Sequence, residues 1–157
     1  MPSLPGAPVV PLSRQGDGMS LFAGQDRESM REAWRTAWRR HLERLPLAPL
    51  QAQMAAVIAL HPEHQGALAE NSGDSMTEEA AGRAFLHLGL HLALREQLST
   101  DRPRGIAQIH SRLAARCGDG HEAEHRMIGV LEQSLWEAQR SGRMPEEAQY
   151  FDALRRL

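Results

Sequence analysis

Lysine is missing from this sequence: all 18 basic residues are arginine. That absence removes the phosphate-loop lysine, the Schiff-base lysine and the lysine general base from the chemistry open to the chain. Cysteine is almost missing too, with Cys117 alone, so neither a disulfide framework nor a Cys-x-x-Cys metal or redox motif is available. No Gly-x-Ser-x-Gly elbow and no Gly-rich phosphate loop occurs. No apolar run approaches the roughly 18 residues that a membrane-spanning helix needs, and a Pro-rich start stands where a charged leader would be. With the lone cysteine, these features predict a soluble, cytoplasmic protein. β-branched residues are scarce and no alternating apolar stretch appears, which argues against a sheet and predicts an all-α fold. Charge of one sign is lacking as well: the formal net charge is −2, and Arg27, Glu28, Arg31 and Glu32 interleave on what reads as a solvated face. Nucleic acid and membrane are therefore not expected as partners, which leaves a protein partner or a second copy of the chain.

What is present is helical periodicity. At 157 residues the chain is long enough to bury a core without staples. Residues 1–24, with Pro2, Pro5, Pro8 and Pro11, show no amphipathic period and read as a flexible arm. Residues 25–157 read as a single domain, a compact bundle of about five to six helices. The first helix opens near Asp26 and carries Met30, Trp34, Ala37, Trp38 and Leu42 on one stripe until Pro46. The second opens at Pro49 and runs to His61, where Pro62 interrupts it, and Glu63 to Ala69 forms a further turn or two. After a polar loop from Asn71 to Glu79, a third helix covers about Ala80 to Leu98. Ile106 to Arg116 forms the fourth helix. Gly120 to Arg140 forms the fifth, with Ile128, Leu131, Leu135 and Trp136 inward, and Pro145 to Arg156 the last.

Two histidine pairs then stand out. His87 and His91 fall in AFLHLGLHLALREQ, and His121 and His125 in GDGHEAEHRMIGVLEQSLW. A spacing of four sets two imidazoles about 40° apart on one helical face, the arrangement by which a helix offers two ligands to one metal ion. Helix three is apolar nearly all round, so its histidines are expected to be buried, where an unpartnered imidazole costs roughly 1–3 kcal/mol. Short connections make successive helices antiparallel. Helix five then runs parallel to helix three, both pairs share one end of the bundle, and His61 arrives there from helix two. His41 falls at the other end, and His110 has no four-residue partner.

Helical angles sort the acids. Glu96 follows His87 by nine residues and points about 180° away, so a hydrogen bond to the turn at 99–105 suits it better. Glu132 lies about 10 Å beyond His125 along the axis. Glu122 and Glu124 are nearer, and either of them, or His61, completes the shell.

HPEH at His61 to His64, FLHLGLHLALREQ at Phe85 to Gln97, DRPRGI at Asp101 to Ile106, and GDGHEAEH followed by LWEAQRSGR up to Arg143 together resemble a bacterial family, domain of unknown function 1841. The resemblance spans about Asp26 to Leu157. It implies a small helical protein and names no reaction. His61, His87, His91, His121 and His125 match the family pattern. The chain departs from it in Arg83-Ala84-Phe85, where Asn-Pro-Phe is usual, and in Gly129 and Gln133, where acids are usual. If those acids complete a site in relatives, this chain carries a reduced or altered one.

Two functions satisfy the buried-imidazole argument. In the first, His87, His91, His121 and His125 are the inner ligands of a transition metal ion, Zn, Fe, Cu or Ni, with Glu122, Glu124 or His61 completing the shell. In the second, the histidines are structural, bonded to carboxylates and carbonyls inside a non-catalytic helical module that binds another protein. Whether the chain is an enzyme is left open by its motifs. Cys117 before His121 is better explained as a packing residue than as a nucleophile. The Asp101 to Gly105 segment is explained by a rigid turn as well as by an anion site at a helix start.

Overall fold

The computed structural model describes residues 17–69 and 76–157, with side chains from residue 26. Its elements are α1 (Asp17–Leu42), α2 (Pro49–Ala59), a 3-10 segment (Pro62–Leu68), α3 (Glu78–Thr100), α4 (Ile106–Cys117), α5 (Gly120–Ser141) and α6 (Glu147–Arg155). There is no strand among the described residues. None of these helices is long and apolar enough to cross a membrane. The arm expected over residues 1–24 lies outside the described residues as far as residue 16; from Asp17 the backbone is helical, so α1 starts ahead of Asp26. Most of the polar run after Glu70 likewise lies outside.

Local chemistry sets the helix starts. Pro49 occupies the first turn of α2, where its missing N–H costs nothing, and the Gln51 side chain accepts from the Ala48 amide at 3.0 Å. The Thr77 hydroxyl caps α3 by accepting from the Ala80 amide. Asp119 caps α5 by accepting from the His121 amide at 2.9 Å. The DRPRG turn is closed from within: the Asp101 carboxylate accepts from the amides of Gly105 and Ala107, each at 3.1 Å. The anion that the start of α4 attracts is thus the chain's own side chain.

α3 is the shared wall of two cores. Ala84, Phe85 and Leu88 pack with Trp34, Ala37, Met54, Val57, Ile58, Ala67 and Leu68 from α1, α2 and the 3-10 segment. Leu90 and Leu94 pack with Ile106, Ile109, Leu113, Met127, Ile128, Leu131, Tyr150 and Leu154 from α4, α5 and α6. Two faces of α3 are therefore covered, a third strip with Leu86 stays exposed, and His87 and His91 lie where the two cores join. An Arg31–Glu78 ion pair at 2.7 Å and the Arg31 guanidinium over the Phe85 ring tie α1 to α3.

Some residues expected inside are outside. Leu135 is 43% and Trp136 49% exposed. Beyond Leu131 the inward positions of α5 fall to the small Ser134 and Ala138, while Trp136, nine residues past buried Met127, points about 180° away and lies under the Arg140 guanidinium. On α1 the buried stripe shortens to Trp34 and Ala37, leaving Met30 and Leu42 exposed at its two ends.

Candidate metal centre

His61 is the hub of a histidine cluster at the junction of the two cores. Pro62 stops α2, and His61 holds φ −127° and ψ 66° as the chain turns into the 3-10 segment. The turn drives the ring inward: His61 is fully buried, and its Nδ1–H donates to the Val57 carbonyl at 2.7 Å. Its Nε2 faces three other Nε2 atoms, His91 at 2.9 Å, His87 at 3.2 Å and His125 at 3.4 Å. His121 closes the group, its ring 4.7 Å from His61 and stacked on His91 at 5.0 Å.

Hydrogen bonding assigns the tautomers. His91, also fully buried, donates through Nδ1–H to Glu124 Oε2 at 2.9 Å, and a carbonyl or carboxylate oxygen can pair only with an N–H. With Nδ1 protonated on both rings, His61 and His91 in their neutral forms present bare Nε2 lone pairs to each other. Two facing lone pairs 2.9 Å apart repel unless a cation lies between them.

Protonation of His87, His91 or His121 is disfavoured. Burial, then its imidazole neighbours, pulls the His87 pKa down to about 4. Burial likewise lowers His91, against the opposing bond to Glu124, and His121, where His125 adds to the effect. These rings are therefore neutral near pH 7, the state in which imidazole ligates a metal.

The donor set fits an ion. One ligand atom from each of His61, His91, His121 and His125 lies within 4.8 Å of all the others. Imidazole nitrogens about 2.0–2.1 Å from a tetrahedral ion stand about 3.3–3.4 Å apart. Within that set His91 and His125 stand 2.9 and 3.4 Å from His61 Nε2, below and at that spacing. The His121 Nδ1 is buried and has no hydrogen-bond partner, an orphan of the kind a metal satisfies.

The carboxylates stand outside the cluster. Glu124 is buried and braces His91, while Arg95 donates to both Glu124 oxygens at 3.2 Å. Burial raises the Glu124 pKa, but the bonds from His91 and Arg95 outweigh it and hold the carboxyl below its usual range. This is the carboxylate–histidine arrangement that fixes ligand orientation around metals. Glu122 is exposed and pairs with Arg126 at 3.2 Å, turned from the cluster. Glu132 is exposed. Glu96 is exposed, and among the described residues its carboxylate makes no bond to the 99–105 turn; only its backbone carbonyl accepts, from the Ser99 and Thr100 hydroxyls in the last turn of α3.

His110 donates to the Gly120 carbonyl at 3.2 Å and braces the α4–α5 turn. His41 stacks on Trp38, away from the cluster. Two residues escape the spacing argument. His64 is half-buried, its ring 5.1 Å from His87 and 5.8 Å from His61; its signal was the HPEH run itself. Arg95 continues the line of His87 and His91 at the same spacing of four, which placed it on their face.

Among known proteins, neither a curated protein nor a solved structure matches the chain. One family model does, over residues 26–156, a stretch that holds the helical domain and every histidine of the cluster. The chain belongs to that family, the domain of unknown function DUF1841.

Proposed function

We propose that this protein is a transition-metal-binding helical bundle. His61, His91, His121 and His125 are the inner ligands, and His87 is a fifth donor. The observation that carries the reading is the pair of bare Nε2 atoms of His61 and His91, 2.9 Å apart with their opposite nitrogens already bonded to Val57 and Glu124. An all-imidazole set suits Zn, Cu, Ni or Fe and disfavours Mg and Ca, which prefer oxygen. When bound, such an ion supplies Lewis acidity. The chain's own contribution is orientation: the Val57 carbonyl and the Glu124–Arg95 pair hold two rings in the ligating tautomer.

Elemental analysis of protein purified without an affinity tag tests this. About one equivalent of a first-row transition metal is expected, either as isolated or after loading of the stripped protein. Less than about a tenth of an equivalent, with none taken up afterwards, overturns it and leaves the histidines as a structural ring cluster.

A further inference from the structure

We infer that Glu63 and His64 form an outer capture site for a divalent transition metal ion, and that His87 passes the ion inward to the buried cluster. The inference rests on the metal-binding reading and deepens it by naming the route to the site. A continuous row of donors runs from solvent to His61. The Glu63 side chain is 57% exposed and that of His64 25%, and the carboxylate stands 3.8 Å from His64 Nε2, too far for a hydrogen bond but a span that one ion bound to both can bridge. The His64 ring lies 5.1 Å from that of His87, inside the 4.2–5.6 Å spread of ring separations among His61, His91, His121 and His125. His87 Nε2 then lies 3.2 Å from Nε2 of the fully buried His61. Along such a row each donor can bind before the previous one lets go, so the route needs no open cavity.

Burial does not choose this side, because His121 and His125 are half-buried as well. Charge does. Among the described residues Glu63 has no arginine partner, so its charge is free to draw a cation, and it lies within electrostatic reach of His61, His64 and His87. On the His121 side the carboxylates are spent: Glu124 on Arg95, which bonds both of its oxygens, Glu122 on Arg126, and Asp119 on the His121 amide. That side also lies at the first turn of α5, whose positive end disfavours a cation. A carboxylate with no matching charge raises the local concentration of cations and speeds their arrival.

The test follows uptake of cobalt(II) by the metal-stripped full chain in stopped-flow absorption, with an equilibrium titration of the same proteins. Glu63→Gln and His64→Ala should each slow uptake on the order of tenfold at low ionic strength. Release to a chelator should slow by the same factor, so that Kd and stoichiometry stay at their wild-type values. Added salt should narrow the gap between the wild type and Glu63→Gln, and Glu122→Gln, on the other side, should leave the rate unchanged. Unchanged uptake rates in both Glu63→Gln and His64→Ala overturn the inference, while wild-type uptake at equilibrium keeps the metal-binding reading standing. Weakened equilibrium affinity in either variant makes that residue a ligand of the resident ion and overturns its role in capture. Slowing in Glu122→Gln equal to that in Glu63→Gln overturns the choice of side. Absence of cobalt uptake by the wild type overturns both readings.

Discussion

At the scale of single residues, position within the cluster ranks the histidines better than their spacing along the chain. His61 has Nε2 neighbours on both α3 and α5, so His61→Ala should abolish metal uptake in a calorimetric titration; retention of wild-type affinity would remove it from the ligand set. Glu124→Gln keeps the shape and loses the carboxylate. It should weaken metal binding by about 10–100-fold in a competition assay against a chelating dye, with the helical circular dichroism unchanged. Acid acts on the same rings. The folded-state pKa of His87 is about 4 against an ordinary 6.5, and those of His91 and His121 are lowered in the same direction. The unfolded chain therefore binds more protons than the folded one between those values. Stability of the metal-free protein should be full above about pH 6.5 and decline as pH falls toward 4, as read by denaturant midpoints at successive pH values. A midpoint that rose on acidification would contradict the neutral, buried rings.

At the scale of elements, the site depends on how α3 hands over to α4 and α4 to α5. The first link is the Asp101 turn. Gly105 holds φ +97°, and a Cβ there would stand 3.2 Å from Phe151 Cζ, so strain and crowding coincide. Gly105→Ala should lower stability by about 1–3 kcal/mol, measured by chemical denaturation, and Asp101→Ala by about 1 kcal/mol through its lost cap bonds. Neither residue touches the cluster, so metal stoichiometry should survive in both variants. The second link is Gly118 with Asp119. Gly118 takes the left-handed conformation that ends α4, and Asp119 caps the His121 amide, which sets the phase of α5 and brings His121, Glu124 and His125 against α3.

At the scale of the molecule, the ligands come from three separated segments: the end of α2, the middle of α3 and the first two turns of α5. A metal held there links both cores across α3. Because the unfolded chain cannot assemble that set, metal should stabilise the fold by about 2.7 kcal/mol at a free concentration one hundred times Kd. The melting temperature should climb with added metal and fall back with chelator, and a melting temperature indifferent to both would argue against a site spanning the cores. Leu94→Ala, at a fully buried position of the second core, should cost about 2–5 kcal/mol by denaturation.

The helical architecture, the approximate element boundaries and the two histidine pairs were legible from the amino-acid sequence alone. Period, capping residues and prolines act over a few neighbours, and those neighbours are adjacent in the chain. The roles inside the site were not legible in that way. Glu122 and Glu124 are two residues apart, yet one lies in solvent on Arg126 and the other is buried against His91 and Arg95, because which arc of α5 faces α3 depends on packing between segments far apart in sequence. His61 read as one of three alternatives for completing a shell and is the hub, since only the turn after α2 aims its ring at α3 and α5. Leu135 and Trp136 fit an apolar helix pattern and are exposed because the core ends before them. Local propensity thus determined which residues form helices and which histidines pair along them. Tertiary packing decided which imidazole nitrogens meet, which carboxylate supports them and which side of the cluster faces solvent, because those depend on distances between segments that no local pattern encodes.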